Sequence, residues 1–350
     1  MNIVKEKKRA SAYFDTAFLL AFIQQQAART EEAMRLDLES SLSGQDKMLR
    51  EALHYALLQG GKRLRPVLAI LSSRLCGRDD DKLYLLAAAF EYLHAGSLIH
   101  DDVIDHAENR RGKASLIKKY GMTAAILTGD WLHARSMHLI GSLAGQEGLD
   151  TVCYATRAMV DGEFLQLRYA ADPAVTEEQY FSVVLRKTAG LIRSTCAIAA
   201  LFGHADCEQQ HALTRYGEKI GIAFQIVDDL LDYLGDEQAT GKMVGNDFIE
   251  GKMTLPLIHV LAHTADEERA VLVQALERTP RDKDGCGMAR QLMHAAESFT
   301  FSQQRACLEV EQGLAALSCF KKKTQSATRM QQESLMILEQ LAYYILRRDR

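Results

Sequence analysis

The sequence predicts an all-α protein, on three observations. Its 350 residues hold four prolines, Pro66, Pro173, Pro256 and Pro280, far below ordinary usage, so long stretches carry nothing that breaks a helix. No β-branched segment with a period of two stands between turn signals. Apolar residues recur instead at helical spacing, and two such runs end in the pattern DDxxD: Asp101, Asp102 and Asp105, then Asp228, Asp229 and Asp232.

Composition narrows the function. The chain is long enough for a sizeable core. No sequence signal marks a second domain, so residues 1–350 read as one domain with a motif-bearing core over about 45–260. A formal net charge of −4 excludes a sequence-independent nucleic-acid binder, which needs a basic surface. It leaves room for a local basic pocket. The cysteines number seven, an odd count without zinc spacing, and most are expected as buried thiols in a reducing compartment. Lys5, Lys7, Lys8 and Arg9 precede an apolar patch at Phe18–Ile23, a superficial likeness to a signal peptide. Asp15 interrupts the run, and Gln24–Gln26 end it without a small-residue cleavage site, so an amphipathic helix is expected there. No run approaches the ~18 apolar residues of a membrane span. The expected location is the cytoplasm.

Taken in order, residues 12–45 read as a helical pair with a polar connection near Ser41–Gln45. Residues 46–58 have apolar positions at a helix period. Gly60 and Gly61 can end that helix and let backbone approach a ligand. Lys62, Arg63 and Arg65 follow, with Pro66 suited to the next first turn. This block reads as an anion clamp or as a helix C-cap with solvated charges. Residues 67–76 form an apolar helix.

The next helix, about Lys82 to Asp105, is apolar almost all round in its upper part and therefore central. Asp101 and Asp105 lie one turn apart on one face, with Asp102 beside them. Such carboxylates repel unless a cation sits among them, and oxygen ligands favour Mg²⁺, which also holds substrate phosphates. Arg110 and Arg111 follow, and arginine suits phosphate oxygens. The alternative is a solvated acidic helix end.

A helix near Thr123–Leu143 carries Asp130 and Trp131. A glycine-rich connection, Gly141–Asp150, leads to a helix over about Thr151–Tyr169 with Asp161, Glu163 and Gln166. Thr176 caps the next helix ahead of Glu177 and Glu178. Lys187 and Thr188 lie within it, and a lysine in an apolar run is a snorkelling stem or a site residue. Residues 211–235 form the second DDxxD helix, with Gln225 one turn before Asp229. Lys242 and Lys252, each after a glycine, are expected on one loop with Asn246 and Asp247 between them. Residues 254–350 alternate helix-like segments and turns, with charge runs such as Lys321–Lys323 facing solvent.

Two acidic triads and separate basic clusters fit one arrangement. The two helices would face each other across a cavity, metal ions would bridge them to a diphosphate, and basic side chains would take its remaining charge. Neutralising a leaving diphosphate favours C–O ionisation to a carbocation, which an apolar helical cavity would shelter.

The residues also resemble a known family, the trans-isoprenyl diphosphate synthases. The matching blocks are GGKRLRP (60–66), HAGSLIHDDVID (94–105), RRG (110–112), GD (129–130), KTAG (187–190), FQIVDDLLD (224–232) and GKMVGNDFIEGKMTLPLI (241–258). The resemblance implies one all-helical domain, an isoprenoid synthase-type bundle around a deep central cavity, usually a homodimer. By it, Asp101, Asp105 and Asp228 would bind Mg²⁺ on the allylic diphosphate, with Asp102, Asp229 and Asp232 completing the motifs. Arg110, Lys187 and Lys242 would contact the allylic diphosphate. Lys62, Arg65, His94 and Arg111 would hold isopentenyl diphosphate. Thr188 and Gln225 would sit near the developing cation, and Lys252 near the second motif. Lys187, Thr188, Gln225 and Lys242 are thus the catalytic candidates. One departure is Ala114-Ser115, where the family often has Pro-Thr, and a less rigid loop is expected.

Product length would depend on what blocks the cavity below Asp101. One helical turn is about 5.4 Å, roughly an isoprene unit. Gly96 and Ser97 stand where short-chain members commonly place an aromatic floor, so a hexaprenyl-to-decaprenyl product is expected. Phe90, Tyr92 or Trp131 would supply a deeper floor, or are ordinary core. The alternatives are a geranylgeranyl or farnesyl diphosphate synthase, a class I terpene cyclase, and a non-catalytic subunit of a hetero-oligomeric synthase. A cyclase would normally lack the second DDxxD and any reason for Lys62, Arg65 and His94.

Overall fold

A computed structural model describes residues 16–58, 61, 63–110, 112–235, 244–322 and 327–348. These residues gather into two compact units. The first runs to Cys153 and is completed by Thr195–His211 and Lys322–Gln340. The second comprises Tyr154–Ser194, Ala212–Lys321 and the C-terminal residues from Leu341.

In the first unit, α1 (Thr16–Ser41) is one helix rather than the expected pair. No glycine or proline interrupts it, and the polar turn comes only after Ser41. α2 (Lys47–Leu57) is capped by Asp46, whose carboxylate accepts from the backbone N–H of Met48 and Leu49. α3 (Leu64–Leu75) and α1 both pack against α4 (Lys82–Ile104). Leu83, Leu86, Ala87, Ala88, Phe90, Tyr92 and Leu93 of α4 are fully buried or nearly so, as an all-round apolar helix must be. Arg63 takes a left-handed φ of 49° just before α3. Its buried guanidinium pairs with Glu91 of α4 and Glu31 of α1, and donates to the Leu57 carbonyl that ends α2.

A small hairpin interrupts the helices: β1 (Asn109–Arg110) pairs antiparallel with β2 (Lys113–Ala114). Gly112 in its turn has φ 75°, which glycine adopts without a Cβ penalty. Ser115 caps α5 (Leu116–Tyr120), and the Ala114 carbonyl accepts from the Tyr55 hydroxyl at 2.8 Å. The Ala114-Ser115 segment is therefore tied at both residues, against the looser loop its sequence suggests. α6 (Met122–Arg168) covers both segments expected as separate helices, as two helical stretches joined at a kink, and its residues from Tyr154 belong to the second unit. The break narrows to Gly145, with φ 70° and ψ −167°.

In the second unit, α7 (Glu177–Val184) begins at a capping box in which Thr176 and Gln179 satisfy each other's backbone N–H. It continues into a π-helical turn, Leu185–Ala189, and α8 (Gly190–Phe202), whose residues from Thr195 belong to the first unit. α9 (Cys207–Leu234) carries the second acidic motif. α10 (Asn246–Glu250), between left-handed Gly245 and Gly251, replaces part of the expected loop. There follow α11 (Leu255–His263), α12 (Asp266–Glu277), α13 (Lys283–Ala295), α14 (Ser298–Ala316) and α15 (Ser318–Lys322), while α16 (Arg329–Leu346) belongs to the first unit as far as Gln340 and to the second from Leu341. α11 packs on α7, α13 and α14.

Cys196, Cys286 and Cys319 are buried, whereas Cys153 and Cys207 are exposed, so burial of most thiols is not what the fold gives. No described helix is long and apolar enough to cross a membrane.

Candidate active site

α4 ends at the first acidic motif. Asp101 is half-buried and Asp105 exposed, while Asp102 is buried. The Asp102 carboxylate accepts from Arg110 Nε of the hairpin at 2.7 Å. Burial raises the pKa of the Asp102 carboxyl, and Arg110 offsets this only in part. The middle aspartate thus holds an arginine in place, and the outer two are the more accessible.

The second motif repeats this division on α9. Asp228 is exposed, with Arg348 Nη2 3.8 Å from its carboxylate and the same guanidinium over the Phe224 ring. Asp229 is buried, and both its oxygens accept hydrogen bonds, Oδ2 from the Tyr180 hydroxyl at 2.6 Å and Oδ1 from Gln225 Nε2 at 2.8 Å. Gln225 Oε1 in turn accepts from Thr188 Oγ1 at 2.8 Å. Burial, with Asp247 adding to it, pushes the Asp229 carboxyl well above the usual range. Asp232 Oδ2 accepts from the Asp247 backbone N–H at 3.0 Å, and burial with Asp247 nearby raises it to about 6. Lys252 pairs with Asp247 at 3.2 Å and Glu250 at 2.6 Å. Burial works against the Lys252 charge, but these two carboxylates outweigh it and raise its pKa.

Lys187 and Thr188 lie on the π-helical turn, a local widening often found at functional sites. Lys187 Nζ meets Glu163 Oε2 at 2.6 Å and Gln166 Oε1 at 3.2 Å, both from α6. Two glycines let neighbouring helices close on this turn. A Cβ at Gly162 would stand 2.7 Å from the Lys187 backbone nitrogen, and one at Gly221 would stand 2.7 Å from Ala189 Cα.

Among the basic positions, Arg65 is half-buried, and its Nε is buried without a hydrogen-bond partner among the described residues. A buried donor of this kind on a cation suits an anionic ligand. His94 is half-buried on α4, and its carbonyl accepts from Ser97 Oγ at 2.9 Å. Lys62, Arg111 and Lys242 lie outside the described residues.

Gly96 does not simply leave space. A Cβ there would lie 2.9 Å from His133 Cδ2 and 3.1 Å from the Gly129 carbonyl, so its smallness lets α4 and α6 approach. Ser97 is half-buried. Phe90 and Tyr92 are fully buried, and the Tyr92 hydroxyl is tied to Met34 O and to Asp37, which also pairs with Arg135.

Among the described residues no three His, Cys, Asp or Glu side chains cluster as a metal cage. Accessible carboxylate oxygens are the donor type that magnesium takes, one or two at a time, together with waters and substrate phosphates. Asp101, Asp105 and Asp228 are the accessible carboxylates for it. Sequence reasoning did not assign Tyr180 or Arg348, because their partners lie far away along the chain, and it noted Asp247 only as a loop residue. Glu163 and Gln166 were visible as polar residues at helical spacing, without a sign that they reach Lys187.

The polyprenyl synthetase family model matches residues 46–293. The octaprenyl diphosphate synthase of Escherichia coli (strain K12) is 35% identical over 283 residues, covering 79% of this chain and 85% of that protein. The geranylgeranyl diphosphate synthase of Saccharolobus solfataricus is 34% identical over 254 residues, covering 71% and 76%. A crystal structure of polyprenyl synthase from Caulobacter crescentus CB15, complexed with calcium and isoprenyl diphosphate, superposes with a TM-score of 0.84 at 30% identity, covering 95% of this chain and 97% of that one.

Proposed function

The chain belongs to the polyprenyl synthetase family, and from that premise we propose that it is a prenyltransferase condensing isopentenyl diphosphate head-to-tail with an allylic diphosphate. The product is a long-chain all-trans polyprenyl diphosphate in the hexaprenyl-to-decaprenyl range. The observation that carries the reading is the repeated division of labour in the two motifs. In each, the buried second aspartate is bound to protein donors, and the first aspartate, Asp101 or Asp228, is the more accessible one that a metal–phosphate ligand would reach. A long product is favoured by Ser97 in place of an aromatic floor. It is also favoured by the octaprenyl relative, which matches a larger share of the chain than the geranylgeranyl one.

Each residue has a role in this reading. Asp101, Asp105 and Asp228 bind Mg²⁺, which supplies charge stabilisation of the leaving diphosphate. Arg110, Lys187 and Lys242 hold the allylic diphosphate, and Lys62, Arg65, His94 and Arg111 hold that of isopentenyl diphosphate. Thr188 and Gln225 face the allylic carbon as the C–O bond breaks. The isopentenyl double bond attacks, and the released diphosphate takes the proton.

The protein acts as a single synthase domain, as a homodimer and in the cytoplasm. Val160, Phe164 and Leu167, exposed by 50%, 67% and 59% on one face of α6, supply an apolar surface suited to a second copy. The test is purified protein with Mg²⁺, labelled isopentenyl diphosphate and an allylic primer, with products separated by chromatography. A ladder ending between six and ten isoprene units is expected. A twenty-carbon end product would make it a geranylgeranyl diphosphate synthase. Turnover only after adding a partner would make it a subunit of a hetero-oligomer.

A further inference from the structure

Tyr180, Asp229, Gln225 and Thr188 form one hydrogen-bonded chain within the second unit, and the chain has a fixed polarity. The Asp229 carboxylate can only accept, and it does so on both oxygens. Gln225 must therefore turn its amide nitrogen toward Asp229, which aims its carbonyl oxygen the other way. There Oε1 takes the hydroxyl hydrogen of Thr188. With that hydrogen committed, Thr188 Oγ1 and Gln225 Oε1 have only lone pairs left to offer. Both residues are half-buried, whereas Asp229 and Tyr180 are buried behind them. Protonation of Asp229 on Oδ2 would not reverse this order. Oδ1 would still accept from Gln225, and Oδ2–H would donate to the phenol oxygen.

We propose that Tyr180 and Asp229 are positioning residues: they hold Gln225 and Thr188 so that oxygen lone pairs, and no amide N–H, face the carbocation formed when the allylic diphosphate leaves. The proposal rests on the prenyl-transfer reading above. An oxygen lone pair lowers the energy of a nearby cation, and an N–H dipole turned toward it raises that energy. Without the carboxylate, the Gln225 amide loses the acceptor that fixes its nitrogen and can flip. The same geometry disfavours Asp229 as a metal ligand. Its two oxygens are committed to Tyr180 and Gln225, while the neighbouring Asp228 is 55% exposed along its side chain.

The test uses three variants of the full chain. Tyr180→Phe keeps the ring and its edge contact with Phe181 but removes the donor. Asp229→Ala removes the acceptor. Asp229→Asn can keep both bonds, its Oδ1 accepting from Gln225 and its Nδ2 donating to the Tyr180 oxygen. Asp229→Ala, which removes the acceptor, and Tyr180→Phe, which leaves the Asp229 carboxylate free to turn away from Gln225, are expected to lower kcat by about ten- to a hundredfold. KM for both substrates and the Mg²⁺ concentration at half-activation should stay within about twofold. Asp229→Asn should recover most of the lost kcat. Combining Tyr180→Phe with Asp229→Ala should cost no more than Asp229→Ala alone, since both break one chain.

Wild-type kcat in Tyr180→Phe overturns the proposal. So does an Asp229→Asn variant whose Mg²⁺ requirement rises as far as that of Asp229→Ala, the mark of a metal ligand. Should Asp229→Ala fail to fold, as thermal melting would reveal, Tyr180→Phe still decides. A wild-type protein inactive with both substrates defeats the prenyl-transfer reading instead, and this control precedes the variants.

Discussion

Arg63 and Arg65 stand two places apart in one basic block and do different work. Arg63 is buried with Glu91 and bonds to three separate segments. Arg63→Leu leaves those carboxylates without their cation and is expected to cost about 3 kcal/mol or more, read from urea unfolding. Arg65→Ala should leave the unfolding midpoint in place and raise KM for isopentenyl diphosphate. The block's charge is legible in the sequence, but which arginine turns inward is not. That is decided by the left-handed backbone at Arg63, a conformation that a non-glycine residue gives no local sign of. A similar split separates Gly96 from Ser97, which read alike as two small residues. Gly96→Ala drives a methyl against His133 and should lower stability by about 1–3 kcal/mol. Ser97→Phe should shorten the product ladder, with unchanged length counting against Ser97 as part of the cavity wall.

At the level of elements, helix type and the ends of well-capped helices follow from local chemistry. Asp46, Ser115 and Thr176 each begin a helix where an N-cap should. The departures have tertiary causes. Glycines at 141–150 look like a linker, yet only Gly145 leaves the helical region, so the connection shrinks to a one-residue kink between two helical stretches of α6. The π-helical turn at Leu185–Ala189 also has no local signature. It depends on close approach by other helices, at Gly162 from α6 and Gly221 from α9. A helical Gly→Ala change ordinarily stabilises by about 1 kcal/mol. Here the added methyl meets backbone at 2.7 Å, which cannot swing aside. Gly162→Ala and Gly221→Ala should therefore both lower the melting temperature, and both should lower kcat because Lys187 and Thr188 ride on the displaced turn. A rise in melting temperature for either would show that the turn tolerates being pushed.

For the whole molecule, the ordered blocks from Gly60 to Ile258 make the family legible, because each block carries charge or glycine that a helix bundle has no other use for. The links among them are not legible, since Tyr180 and Asp229, or Asp228 and Arg348, meet only through folding. Assembly is testable at this scale. Phe164→Asp places a charge in the exposed apolar face of α6 and should yield monomers in sedimentation equilibrium, while Leu58→Asp, at an exposed position on the first unit, should not. The acidic motifs also have protein cations beside them: Arg110 on Asp102, Arg348 near Asp228, and Lys252 on Asp247. A divalent ion arriving by itself would compete with Arg348 for Asp228 and be repelled by the other two cations, and a diphosphate by itself would compete with the carboxylates. Arriving together, they exchange partners with every charge still matched. Metal and diphosphate should therefore be mutual ligands in the thermodynamic sense, each raising the other's affinity by the same factor. Calorimetry with magnesium, with pyrophosphate and with both is expected to give weak binding, weak binding and tight binding; additive affinities would mean that the protein's own cations never yield their places.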